Sequence, residues 1–311
     1  MPNSRGNRLF APRGSQKARC YNRRVSDARG IHLGTSGFTA AGWPGSFYPS
    51  GMKPANYLSF YAEHFDTVEV DSTFYGIPSK STVNGWASKT LDGFIFSVKV
   101  PQIITHEKIL IDCDAEFEEF VSTMDILKEK LGPMVLQFPF FPRSVFKTQS
   151  DFLDRFIRFL KKLPHDYKFA VEIRNRDWLT EEFADLLRDY KVALVLQDRS
   201  WMPNPNELSQ DFDPITADWT YIRWLGDRKG IEQITRTWNK TVVDRTSQLR
   251  GWVDFCYQVR KRGVVIYAYA NNHYAGHGPA TVELFSELWR AKGLLELERP
   301  RGMRRENMLF D

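Results

Sequence analysis

Apolar residues along this chain follow two rhythms that alternate. Short runs with a period of two, at 31–36, 94–100, 134–138, 168–174, 192–197, 219–225 and 263–270, read as β-strands. So does TVEVDSTFYGIP at 67–78, which begins as a strand and ends in a turn rich in aromatics. Between the strands, apolar residues recur three or four apart, the spacing of one buried helix face. Tyr57, Leu58, Tyr61 and Phe65 form one such stripe after Pro54; 79–88 is a short helix. Phe117 to Leu131 predicts another, stopped by Gly132-Pro133. Further stripes start at Phe152, at Phe183 behind the capping Thr180, at Leu249 and at Val282. The stretch up to Pro214 is irregular, and 227–245 is charged and loop-like and reads as a mobile excursion.

Eight strand-then-helix units without a composition break force a parallel sheet with helical crossovers. No G-x-G-x-x-G or G-x-x-x-x-G-K-[ST] follows any strand, so an open mononucleotide-type sheet lacks its usual support. The pattern predicts an α/β protein with a single TIM-like (β/α)8 barrel at 31–297, and 311 residues suffice for one such barrel.

The net charge of +5 is unevenly spread. Residues 1–30 hold eight Lys and Arg against one acid, a balance of +7, so the other 281 residues sum to −2. That describes a near-neutral body with an Arg-rich tail at 1–30 expected to be disordered, and a polar C-terminal tail at 298–311. The basic tail reads first as a solubilising extension; a nucleic-acid-binding arm is the sharper, less favoured reading. No apolar run approaches the ~20 residues that span a bilayer, and no secretory signal opens the chain. Cys20, Cys113 and Cys256 show no C-x-x-C spacing, which argues against a disulfide framework and for a cytoplasmic setting.

In such barrels the C-terminal strand ends and the loops after them build the site. Period two puts Glu69 with Asp71, and Glu172 with Arg174, on the mouth-facing side, because Val68, Val70, Val171 and Ile173 take the helix side. Buried charges need partners, so these acids are expected to meet Lys99, Arg174 or Arg223 across the barrel. Glu69, Asp71, Glu172 and Lys99 are the candidate catalytic residues. The neighbouring carboxylates are expected to raise the Lys99 pKa, which argues against Schiff-base use. His106, Gln137, Arg174, Asp198, Arg223, Asn272 and His277 are candidate ligand-binding residues. The turn at 276–279 offers backbone N–H groups for an anion. No metal ligand set is assigned: His273-x-x-x-His277 is a weak spacing on a loop, so no cofactor is required, while a divalent metal stays open. A satisfied polar plug with no chemistry is the competing reading of the same charges.

Several motifs, in order, resemble the DUF72 (YecE-like) family: GTSGF-x4-W-x-G-x-FYP at 34–49, TVEVDSTFYGIP at 67–78, FSVKVPQIITH at 96–106, LQFP at 136–139, AVEIRNRDW at 170–178, YIRWLG in strand seven and NNHYAGHGP at 271–279. The resemblance covers about 31–292 and implies a TIM-like barrel whose activity is not established. Carried onto this chain, its motif positions are Glu69, Lys99, His106, Gln137, Glu172, Arg174, Arg223, Asn272 and His277. Asp71 stands where the family usually has Asn. Three functions follow as expectations. The first is a hydrolase or isomerase acting on a small phosphorylated or sugar-like ligand. The others are a metal-dependent phosphodiesterase that binds nucleic acid, and a non-catalytic binding or scaffold protein.

Overall fold

Strand alternation sorts the side chains into two cores. Eight strands form the sheet: β1 (Ile31–Thr35), β2 (Thr67–Val70), β3 (Ile95–Lys99), β4 (Leu131–Gln137), β5 (Phe169–Glu172), β6 (Ala193–Asp198), β7 (Trp219–Trp224) and β8 (Val265–Ala270). The computed structural model describes residues 30–298, so the expectations for residues 1–29 and 299–311 lie outside the described residues. All recorded ladders are parallel, in the order β1-β8-β7-β6-β5-β4-β3-β2, which is the nearly closed barrel that the alternating pattern predicts. Residues pointing out of the barrel, among them Val68, Val70, Val98, Leu136, Val171 and Ile222, join the helices in one continuous core.

The barrel closes where β1 meets β2, and the seam is held by side chains. The Tyr61 hydroxyl accepts from the Thr35 N–H at 2.9 Å and donates to the Thr67 carbonyl at 3.1 Å. Asp66 accepts from the Leu33 N–H at 3.4 Å and lies 3.0 Å from His32 Nδ1. A Cβ on Gly34 would sit 2.2 Å from the Thr67 oxygen, so only glycine lets the two strands approach this closely.

Among the described residues ten helices surround the sheet: α1 (Tyr57–His64), α2 (Lys80–Ser88), α3 (Asp114–Met124), α4 (Gln149–Leu160), α5 (Glu181–Asp189), α6 (Pro205–Asp211), α7 (Arg228–Ile234), α8 (Thr246–Lys261), α9 (Asn272–Ala275) and α10 (Gly278–Glu298). The apolar stripes do what their spacing predicts. Phe152, Phe156 and Phe159 of α4, and Trp252, Val253 and Cys256 of α8, are buried against the sheet. Thr148 starts α4 with a capping box shared with Asp151. Among the described residues no helix is long and apolar enough to cross a membrane.

Three local expectations change. The helix expected through Leu131 stops at Met124, and a 3-10 segment carries the chain from Asp125 to Lys130, where Lys128 has a φ of 52°. Gly132 and Pro133 therefore open β4 instead of ending a helix. The irregular stretch before Pro214 contains α6. The 227–245 excursion contains α7 and is tied down: the Trp238 N–H reaches the Ala41 carbonyl at 2.9 Å, and the Val242 N–H reaches that of Ala275 at 2.7 Å. It borders the mouth without hanging free.

The lower barrel interior is filled by Val135, Ala170, Ala193, Val195, Trp219, Tyr221, Tyr267 and Tyr269. The Tyr269 hydroxyl bonds Thr67 Oγ1 at 2.8 Å and Ser97 Oγ at 2.6 Å, so the polar tips that enter this layer have partners. Above that layer the interior becomes charged.

Candidate functional site

Arg223, on β7, is the hub of the mouth. Its Nη2 donates to Glu69 Oε1 at 2.8 Å, and its Nη1 donates to Glu172 Oε2 and, at 3.1 Å, to Gln137 Oε1. Asp71 Oδ1 lies 3.6 Å from Nη2. One guanidinium thus gathers side chains from β2, β4 and β5, three strands whose alternation aims these residues inward. The Tyr221 hydroxyl fixes the other Glu69 oxygen at 2.7 Å. Arg223, Glu69 and Glu172 are fully buried, a costly arrangement that survives because each charge has a partner.

The outer edge of this ring is more open. Lys99 Nζ lies 2.9 Å from Asp71 Oδ1 and 4.1 Å from the centre of the Phe74 ring. The Asp71 side chain is 37% exposed and that of Lys99 is 5%. Arg174, 25% exposed at its side chain, donates from Nε to Glu172 Oε1 at 3.2 Å. His106 sits in a π-helical turn, Ile103–Glu107, with Nδ1 2.8 Å from Thr105 Oγ1 and its ring edge-on to Phe74.

Electrostatics divide these groups by role. Burial pushes the Glu172 carboxyl up, but Arg223, Arg174 and Arg199 outweigh it and hold it at about 2. A carboxylate held ionised in this way is not a proton donor near neutral pH. Burial likewise pushes Asp71 up, and Lys99 with Arg223 pulls it below the ordinary carboxylate value. Lys99 shifts opposite to the sequence-based expectation: burial lowers its pKa, Asp71 and Glu69 counter this, and Arg223 adds to the lowering. The desolvation of an almost closed site exceeds the attraction of the neighbouring acids. His106 is lowered to about 4 by burial, Arg174 and Lys99, and is neutral near pH 7.

Three expected residues lie apart from the ring. Asp198 turns outward, accepting from Trp252 Nε1 at 2.6 Å and the Tyr274 hydroxyl at 2.8 Å. Asn272 Oδ1 accepts from Trp43 Nε1 at 3.1 Å and the Gly278 N–H at 2.8 Å. His277 Nδ1 accepts from the Ala280 N–H at 3.3 Å, which caps the start of α10 from the preceding residue. Of the backbone groups expected to receive an anion at 276–279, the Gly276 N–H reaches the Asn272 carbonyl, the Gly278 N–H is capped by Asn272 Oδ1, and Pro279 has none.

Two residues join the site unannounced, Tyr221 and Arg199. Period two from Arg223 leads to Tyr221, and from Gln197 past Asp198 to Arg199. Burial lowers the Arg199 pKa to about 10, with Glu172 opposing and Arg174 and Arg223 adding to the effect. The mouth then holds four cations (Lys99, Arg174, Arg199, Arg223) against three carboxylates (Glu69, Asp71, Glu172). Arg223 Nε and Arg199 Nε are buried without a hydrogen-bond partner among the described residues. The acids converge on guanidinium and ammonium groups, and among the described residues no three His, Cys, Asp or Glu side chains are placed to hold a metal ion.

Residues 32–304 match the family described as "Protein of unknown function DUF72", a span that includes every residue of this ring. The chain belongs to the DUF72 family. The UPF0759 protein YecE of Escherichia coli (strain K12) is 35% identical over 120 residues, 38% of this chain and 41% of that protein. The UPF0759 protein YunF of Bacillus subtilis (strain 168) is 31% identical over 161 residues, 50% of this chain and 54% of that protein. The matches thus span about half or less of those relatives' own length. A crystal structure of a DUF72 family protein from Thermotoga maritima MSB8 shares 26% identity with a TM-score of 0.64, covering 86% of this chain and 100% of that one. A DUF72 structure from Enterococcus faecalis V583, at 20% identity, TM-score 0.60, and coverage of 84% and 97%, shares the fold.

Proposed function

We propose that this DUF72 protein is an enzyme, an isomerase or a hydrolase, that takes a small phosphorylated or sugar-like compound at the C-terminal mouth of the barrel. The observation that carries this reading is the pairing of Lys99, its pKa lowered by burial, with the half-open carboxylate of Asp71 at 2.9 Å. A lysine so shifted is a stronger acid than a free one, and Asp71 Oδ1 already faces Lys99 and Arg223. In this reading Asp71 accepts a proton from the ligand while Lys99 donates one to a developing oxyanion. Arg174 and Arg199 hold the ligand's anionic group, and neutral His106 orients it. Glu69, Glu172, Gln137 and Tyr221 act through Arg223, which they position.

Space supports the reading. Clefts of about 390 and 520 Å³ open beside the mouth, one lined by Arg199 and the other by Arg174. Both are in the range of small-molecule sites. A polar plug with no ligand has no use for a charge surplus beside such clefts. A cytoplasmic setting belongs to the same proposal, resting on cysteines without a pairing pattern, two of them buried free thiols.

The test is a thermal-shift panel of sugar phosphates, free sugars, sugar acids and inorganic phosphate, followed by incubation of any stabilising compound in D2O. Deuterium entering the carbon skeleton identifies an isomerase; release of phosphate or sugar identifies a hydrolase. Neither outcome, together with no shift from any compound, overturns the proposal.

A further inference from the structure

The larger cleft beside the mouth differs from the mouth in what lines it. Arg174 stands where the two meet, held by Glu172 through Nε alone, with its terminal nitrogens unbonded among the described residues. Beyond it the cleft is lined by Arg143, Lys147 and Arg176, with Asp177 as the single acid. Arg143 and Lys147 have no ion-pair partner among the described residues, and Arg176 reaches Glu207 at 3.5 Å. Grouping cations with so little compensating charge costs stability through their mutual repulsion. An anionic ligand offsets that cost.

The same cleft exposes two large aromatic rings. Phe140 is 62% exposed and Trp201 is 49% exposed, whereas Phe141 and Phe146, nearby in the sequence, are buried. Arg199 covers Trp201 at 4.6 Å, which ties this ring to the mouth as well. Single exposed aromatics need no explanation. Two of them flanking a cationic cleft offer surfaces on which a flat ring can stack.

We infer that the substrate is a phosphate ester carrying a planar heteroaromatic group, a nucleoside monophosphate in the simplest case. It lies across Arg174, with its phosphate drawn by Arg174, Arg143 and Lys147 and its ring against Trp201 and Phe140. This rests on the reading of the mouth as an anion site and narrows the ligand class.

The full-length protein is titrated with the four ribonucleoside monophosphates, ribose 5-phosphate and inorganic phosphate, following tryptophan fluorescence and calorimetric heat. At least one nucleotide should bind about tenfold or more tightly than ribose 5-phosphate, as stacking of one base requires. Phe140→Ala and Trp201→Ala should each reduce that preference several-fold while leaving ribose 5-phosphate binding nearly unchanged. Because Phe140 does not touch Arg199, its variant stays informative if Trp201→Ala disturbs the mouth. Arg143→Ala/Lys147→Ala should weaken all phosphate esters by about tenfold. Equal binding of nucleotides and ribose 5-phosphate, both abolished by Arg174→Ala, overturns the aromatic inference and leaves the mouth reading standing. No binding by any of these compounds overturns the inference and the phosphorylated-ligand arm of the mouth reading, leaving its sugar arm to the thermal-shift panel.

Discussion

The mouth of this barrel has two parts that share charges and differ in access. The inner ring of Arg223, Glu69 and Glu172, with Gln137 and Tyr221, is buried, and hydrogen bonds tie Arg223 to both glutamates and to Gln137, and Tyr221 to Glu69. The outer rim of Asp71, Lys99, Arg174, Arg199 and His106 is only partly sealed: the Asp71 and Arg174 side chains are part-exposed, and Arg199 Nε has no hydrogen-bond partner among the described residues. Similar residue types thus sit in two settings: the ring holds Arg223 in place, and the rim is the part that, in the proposed function, meets a ligand. The comparison teaches that a buried charge network need not itself be the chemistry.

The sharpest way to break that division is Arg223→Met. It removes the cation that Glu69 and Glu172 share, leaving Glu69 only the Tyr221 hydroxyl and Glu172 only Arg174 Nε, and should cost about 3–5 kcal/mol of stability in chemical denaturation. A loss under ~1 kcal/mol would mean that the ring is not the structural part.

Acid comes next in size. Glu172 falls from its ordinary 4.5 to about 2 on folding, so its stabilisation is present above pH 4.5 and is lost as pH falls toward 2. His106 falls from 6.5 to about 4. The unfolded chain therefore takes up that proton first, and stability also declines between pH 6.5 and 4. Denaturation midpoints should drop in two stages, and His106→Gln should flatten the first while leaving the second. A single stage below pH 4 in the wild type would contradict the burial of His106.

Tyr61→Phe probes the seam away from the mouth and should cost about 1–2 kcal/mol by stranding the Thr35 N–H and Thr67 carbonyl. Asp71→Asn should have the smallest effect on stability, within ~1 kcal/mol, because the side chain is partly open. It should nevertheless lower the Lys99 pKa further, since Asp71 is the principal group raising it. Lysine Nζ titration by NMR reads this directly, and an upward shift would refute the pairing.

Much of this was legible before any coordinates. V-E-V-D at 68–71 and V-E-I-R at 171–174 put the acids and Arg174 inward by parity alone, and eight strand-helix units imposed the barrel. At the end of β6, parity from Gln197 favours Arg199 over its neighbour Asp198. The Lys99 shift escaped because desolvation depends on how tightly the strands close, which no pattern of residues reports. The fate of Asn272 and His277 was hidden in loop geometry, where side chains answer local backbone groups rather than a repeat.

The division of the mouth is tested most directly by titrating wild type, Arg174→Ala and Arg199→Ala with a panel of sugar and nucleoside phosphates, and unfolding the same three proteins. The account predicts saturable binding to the wild type, weakened at least about tenfold in each variant, with stability held within ~1–2 kcal/mol. Binding unchanged in both variants, or no binding to the wild type, would contradict it.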